Sequence, residues 1–130
     1  MEYVTLNNGL RMPNLGFGVY LVTDYEECKK SVLEALKNGY RLIDTAAVYM
    51  NEKAVGAAIS ESDVVRKDIF LTTKLWPQDY PYEKAKAAIN KALEKLNVEY
   101  IDLLLLHQPF GDILGAWKAM GEAVEEYYRA

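Results

Sequence analysis

The sequence predicts an α/β fold built from four parallel strand–helix units behind a short N-terminal β-hairpin. Three observations carry that expectation. Short apolar runs alternate with amphipathic stretches of helical period, four times over, at intervals of roughly 25–30 residues; such alternation implies parallel strands joined by right-handed crossovers. The run at residues 101–106 is apolar without alternation, the pattern of a strand buried on both faces. Polar side chains interrupt the apolar runs at their C-terminal ends, the side on which parallel α/β folds build sites. Two architectures satisfy the pattern, an open doubly wound sheet or half of a (β/α)8 barrel, since a whole barrel needs about 250 residues and this chain has 130.

Each element has its own signal. Residues 4–6 and 10–12 flank Asn7-Asn8-Gly9, and Asn-Gly supplies the positive φ angles of a tight two-residue hairpin turn. Residues 15–20 form a short apolar run with two glycines, the first strand of the main sheet. Thr23 with Glu26 three residues on is a capping-box pattern. The helix that follows places Cys28, Val32, Ala35 and Leu36 on one face, and Gly39 stops it. Strand 41–45 leads to helix 51–60, whose apolar side is Ala54, Val55, Ala58 and Ile59. Strand 69–75 leads to the clearest helix, 82–96, apolar at Ala85, Ala88, Ile89, Ala92, Leu93 and Leu96. Strand 101–106 and helix 112–128 complete the fourth unit.

Composition narrows the function classes. The chain is 51% hydrophobic and 26% charged, enough apolar material for the core of one domain. A net charge of −4 offers no basic patch to nucleic acid. The sole cysteine, Cys28, cannot form an internal disulfide; it fits a reducing compartment and reads as a small buried hydrophobe. No secretion signal opens the chain, and no apolar run is long enough to span a bilayer, so a cytoplasmic protein is expected. No metal site is predicted.

The candidate site lies at the strand ends. Asp44 ends the second main strand, Lys74 the third and His107 the fourth, with Tyr49 in the loop just after Asp44. Each alone is ordinary: a strand-end aspartate caps turns, a lysine snorkels to solvent, and a histidine finds a structural hydrogen bond. Together they converge on one region. A partly buried Lys74 needs a partner, and Asp44 on the neighbouring strand is available. A cation beside a phenol favours the phenolate, so such a tyrosine can donate a proton near neutral pH. An imidazole N–H can hold a carbonyl oxygen in place. These groups make a site for protonating a carbonyl oxygen while its carbon accepts a nucleophile.

The motifs that surround these residues are Leu15-Gly16-Phe17-Gly18, Gly39-Tyr40-Arg41-Leu42-Ile43-Asp44-Thr45-Ala46, Tyr49 with Asn51-Glu52, Val55-Gly56, Thr73-Lys74-Leu75-Trp76, and Asp102-Leu103 through His107-Gln108-Pro109. They resemble the aldo-keto reductases from about Val4 to about Met120. The Gln108-Pro109-Phe110 variant is most similar to the small-carbonyl reductases of bacteria and lower eukaryotes that resemble diketogluconate reductases.

The resemblance chooses the barrel: it implies half of a (β/α)8 TIM barrel, with the hairpin (residues 1–13) capping its bottom and four βα units in residues 14–130. It implies NADPH as hydride donor and aldehydes or ketones as substrates. Tyr49 is then the general acid, Lys74 and Asp44 the pair that tunes it, and His107 the residue that orients the carbonyl. Tyr20, Trp76 and Gln108 fall where the family lines its substrate pocket, and Gly18, Val19 and Asp44 where it meets the nicotinamide. In the family a fifth strand, a Ser-Asn segment for the carboxamide and a basic loop for the adenosine phosphate lie beyond the position of Ala130. The chain therefore reads as a truncated domain that binds NADPH weakly or not at all and either self-associates through its open sheet edges, as a homodimer, or rearranges into an open sheet with helices on both faces. The alternatives are a non-catalytic half-barrel that serves as a folding or assembly scaffold, and a regulatory subunit.

Overall fold

The structure, a computed structural model, describes residues 1–129, so Ala130, the last residue of the expected fourth unit, lies outside the described residues. Strands β1 (Tyr3–Thr5) and β2 (Arg11–Pro13) pair antiparallel with Val4 opposite Met12. Their turn is not the two-residue type expected from Asn8-Gly9. Gly9 N–H bonds to Leu6 O at 2.9 Å and Leu6 N–H to Leu10 O at 2.8 Å, which leaves residues 7–9 in the loop. Only Gly9 takes a positive φ, +87°, so the loop is a turn closed by a glycine bulge, the usual three-residue solution.

The main sheet holds β3 (Gly16–Gly18), β4 (Leu42–Asp44), β5 (Phe70–Leu75) and β6 (Leu103–Leu106), all parallel and in that order. A doubly wound sheet reverses its strand order at a switch point; this one does not. Helices α1 (Tyr25–Lys37), α2 (Glu52–Glu61), α3 (Tyr82–Leu96) and α4 (Ile113–Arg129) pack as consecutive neighbours along the sheet. That is the half-barrel arrangement. No helix among the described residues is long and apolar enough to cross a membrane.

Local chemistry sets the helix ends. Asp24, not the expected Thr23, caps α1: its carboxylate accepts from the Glu27 N–H at 2.9 Å. Asp24 with Glu27 repeats the capping spacing of Thr23 with Glu26, one residue on, and a carboxylate at a helix N-terminus also meets the positive end of the helix dipole. At the other end Gly39 (φ +100°) lets Tyr40 N–H reach Ala35 O at 3.0 Å and Gly39 N–H reach Leu36 O at 3.2 Å, the Schellman closure. Arg41 Nη1 caps further carbonyls at Leu36 (2.9 Å) and Tyr40 (2.8 Å).

Two packed clusters form the core. Val32, Leu36, Ile43, Val55 and Leu71 belong to the first, with Cys28 fully buried among them. Leu75, Tyr80, Ala85, Ile89, Ala116 and Ala119 make the second, between β5, α3 and α4. Gly56 lets α2 press against the last turn of α3, since a Cβ there would stand 2.4 Å from Leu96 O. The expectation that residues 101–106 are buried on both faces does not hold: Leu103, Leu104 and Leu106 are half-buried and Leu105 is 39% exposed. As an edge strand, β6 has a hydrogen-bonded neighbour on one side only.

At the opposite end of β5 and β6 from the candidate site, an ion pair ties the strands. Asp102 Oδ2 accepts from Arg66 Nη2 at 2.8 Å and from Leu71 N–H at 2.9 Å. Arg66 also bonds to Ile69 O and Tyr100 O and lies 4.0 Å above the Tyr100 ring.

Candidate active site

The sheet brings the four candidate residues together. Asp44 ends β4, Lys74 is next to last in β5, and His107 follows β6 directly. Tyr49 closes a single 3-10 turn, Ala47–Tyr49, after which Met50 adopts a left-handed φ of 60° and turns the chain into α2. Parallel register sets Asp44 between Gly18 and Thr72.

Lys74 Nζ donates to both oxygens of Asp44, at 2.9 and 2.8 Å, and to Thr45 O at 2.9 Å. All three ammonium protons thus have acceptors, which is what a lysine with only 13% of its side chain exposed requires. The same nitrogen stands 5.0 Å from the centre of the Tyr49 ring. His107 meets that ring edge-on, with centroids 5.6 Å apart at 82°, and meets Trp76 in the same way at 5.3 Å and 88°. Tyr20 tilts against Tyr49 at 5.2 Å and 50°. Tyr20, Tyr49, His107 and Trp76 therefore form one continuous row of rings, with the Lys74–Asp44 pair against its middle.

Burial lowers the His107 pKa below the ordinary 6.5; the Lys74 charge lowers it further, and Asp44 opposes both. The shift favours the neutral ring, which keeps one N–H to donate. Its Nδ1 is buried with no hydrogen-bond partner. An arrangement of a phenol, a neutral imidazole and a compensated cation can deliver a proton to a ligand oxygen and stabilise the charge left behind.

The other expected positions fall around this row. Gly18 lies exposed beside Asp44, and a Cβ there would meet only Asp44 Oδ2, at 4.0 Å, so this face of the ion pair is open. Val19 buries its side chain completely in the first core cluster, and its amide bonds to Asp44 O at 3.2 Å. Tyr20 is largely exposed at the end of the ring row. Gln108 is tied in through its backbone, which makes two hydrogen bonds with the Tyr80 hydroxyl.

Three supporting groups were not singled out from the sequence. Asn51, almost fully buried, accepts from Thr45 Oγ1 at 2.7 Å and donates to Val19 O (2.9 Å) and Val22 O (3.0 Å), so it bridges the loops that carry Tyr20 and Tyr49. Glu52 is buried at the start of α2, where Thr73 Oγ1 donates to it at 2.8 Å. Burial raises the Glu52 pKa above 4.5, against the Thr73 bond and the Lys95 charge. Tyr80 is the third. The Asn51-Glu52 pair stood in the quoted motifs without a role, and Tyr80 carried no signal among ten tyrosines. Among the described residues, no group of three or more His, Cys, Asp or Glu could hold a metal.

Comparison with known proteins agrees with this geometry. Residues 14–126 match the family described as "Aldo/keto reductase family". The chain is 46% identical over 128 residues to a glyoxal reductase of Bacillus subtilis, an alignment that covers 98% of this chain and 45% of that protein. Among solved structures, an aldo/keto reductase from Brucella melitensis superposes with a TM-score of 0.92 at 44% identity, over 96% of this chain and 50% of that one. An aldo-keto reductase of Bombyx mori, solved in complex with NADP, gives a TM-score of 0.89 at 33% identity, over 95% and 47%. The chain thus spans about half the length of the relatives it matches. On that family match, these likenesses and the shared strand order, the chain belongs to the aldo/keto reductase family.

Proposed function

We propose that the chain contributes the proton-donating half of a site that reduces small aldehydes and ketones to alcohols with NADPH. The observation that carries this reading is the Tyr49 ring held between Lys74, at 5.0 Å, and His107, at 5.6 Å. The open face at Gly18 fits the flat nicotinamide, with Gly18 and Asp44 the residues of this chain that would meet it; Val19, expected beside them, is fully buried in the core and offers no surface. NADPH bound there supplies the hydride. The Bombyx mori relative's complex with NADP and the glyoxal reductase name of the Bacillus subtilis relative support the choice of cofactor and substrate class.

The chain's own residues handle the oxygen. His107 donates its N–H to the carbonyl oxygen and orients the group. Tyr49 passes its hydroxyl proton to that oxygen as the C=O bond becomes a C–O single bond. The Lys74 ammonium stabilises the negative charge left on the phenol, and Asp44 holds the ammonium in place. Solvent then returns a proton to Tyr49. Tyr20, Trp76 and Gln108 bound the substrate. Positioned proton transfer of this kind contributes roughly 10²–10⁴-fold to a rate.

The two open edges, β3 and β6, favour a second copy as partner: two copies supply eight parallel strands. The same reading places the protein in the cytoplasm, where buried Cys28 stays reduced; recovery outside that compartment on cell fractionation would overturn the placement. One assay tests the function and the pairing. NADPH oxidation with a reactive aldehyde is followed for the chain and for Tyr49→Phe over a wide range of chain concentration. The expected result is turnover that rises per chain with concentration and falls at least ~100-fold in the variant. Equal silence from both preparations leaves the non-catalytic half-barrel as the better reading, and a constant rate per chain from a species that light scattering weighs as a monomer removes the dimer.

A further inference from the structure

Tyr80 is a buried titratable group that the proton transfer above does not use. It follows the 3-10 turn Pro77–Asp79, just beyond Trp76, and its side chain is fully buried in the second core cluster. Burying a phenol hydroxyl is costly unless its hydrogen bonds are made. Here both are made, and both end on one residue: the hydroxyl donates to Gln108 O at 2.9 Å and accepts from Gln108 N–H at 3.0 Å.

Gln108 is next in the chain to His107, whose own N–H is fixed to Leu75 O at 3.0 Å. The peptide that joins the two residues is therefore anchored on both sides, by β5 before it and by Tyr80 after it. The imidazole needs that anchorage. Its Nδ1 has no hydrogen-bond partner, and the ring is held by edge contacts with Tyr49 and Trp76. The loop beyond also forms around Tyr80. Gly111, at φ +89°, turns the chain back over it, where a Cβ would make ordinary contacts of 3.5 Å with Tyr80 Cδ2 and 3.6 Å with Pro77 Cβ. An apolar side chain of similar size would fill the space under this loop, but only a hydroxyl can take both backbone groups of Gln108.

We infer that Tyr80 is a positioning residue, whose hydroxyl fixes the backbone at Gln108 and so holds the His107 imidazole in the ring row. The catalytic consequence rests on the carbonyl-reduction reading; the positioning does not. Tyr80 joins the loop after β5, which carries Trp76, to the loop after β6, which carries His107, so one hydroxyl sets the spacing of the two rings. Reactions that depend on placement lose rate steeply with misplacements of an ångström or less.

The chain has a single histidine, so one imidazole resonance in a proton NMR titration reports on His107 without ambiguity. The charged or titratable groups around it are Lys74 on β5, Asp44 on β4 and Tyr49 in the turn after β4. In the unaltered chain the midpoint is expected below the free-imidazole value of ~6.5. In Tyr80→Phe the midpoint is expected to rise towards that value as the loosened loop admits water, and the Gln108 amide to exchange at least ~10-fold faster at equal global stability. Val32→Ala, in the other core cluster, supplies the matched loss of stability and should leave the His107 midpoint unmoved. An unchanged midpoint with unchanged Gln108 exchange in Tyr80→Phe overturns the inference. Should that variant not fold, the unaltered chain decides: a slowly exchanging Tyr80 hydroxyl proton with a cross-peak to the Gln108 amide is required, and its absence overturns the inference equally. A shifted midpoint with undiminished carbonyl reduction would keep the positioning and remove His107 from the chemistry, so the two failures read differently.

Discussion

Replacing Asp102 by alanine strikes the tie between β5 and β6 without touching the ring row. Two interactions go at once. Leu71 N–H, on a fully buried residue, loses its 2.9 Å acceptor, and an orphaned buried donor costs about 1–3 kcal/mol. The 2.8 Å pair with Arg66 goes too; its side chains are 22% and 19% exposed, so the pair is worth about 1 kcal/mol. The expected loss is about 2–4 kcal/mol of unfolding free energy, a large share of a small domain's stability. Urea unfolding followed by far-UV circular dichroism measures it, with the slope checked for unchanged two-state behaviour. In an Arg66→Ala background the same replacement should still cost about 1–3 kcal/mol, because the backbone donor is orphaned whether or not the arginine is present. A loss below about 0.5 kcal/mol would refute the reasoning, since that is the scale of an uninvolved surface residue.

Glu52 gives a pH-dependent expectation. Its folded pKa is raised by burial, so its contribution to stability is present below the ordinary value of 4.5 and is lost as pH rises through the folded value. Glu52→Gln keeps an acceptor for Thr73 and removes the charge; it should raise the melting temperature at pH 7 and lose that advantage in acid, and equal melting at pH 7 would count against the burial argument. Gly56→Ala places a methyl against Leu96 O, which is backbone and cannot swing aside; thermal melting should show a loss of at least ~1–3 kcal/mol, whereas a gain of the usual helical-alanine kind would mean that α2 and α3 part easily.

Much of the fold was legible because its signals are periodic. Helix α3 runs over Tyr82–Leu96 as its apolar spacing required. The competing sheet architectures could not be separated by period, since strand order is a tertiary property; the motifs chose, and the structure agrees. Other features were illegible for identifiable reasons. Thr23 and Asp24 each precede a glutamate by three residues, so capping spacing alone could not select the cap. Three 3-10 turns span one turn each and leave no periodic trace. Leu103–Leu106 shows its apolarity in sequence but not its lack of a second neighbour. At the site, Asp44, Lys74 and His107 stood out as polar groups ending apolar strands, and the structure brings them together with Tyr49. Tyr80 did not, because its importance comes from a contact 28 residues away.

The uninterrupted strand order has a kinetic consequence. Each strand pairs with the one made just before it, so the sheet can grow in the order of synthesis. The Lys74–Asp44 bond closes over 30 residues and the Tyr80–Gln108 bond over 28, spans whose closure entropy differs little. A chain emerging from a ribosome can therefore dock each unit onto a finished one, and the ring row is complete once His107 and the loop behind it have appeared. Unravelling starts from the edges: β3 and β6 each have a neighbour on one side only, while Asp44 and Lys74 stay paired on the two middle strands.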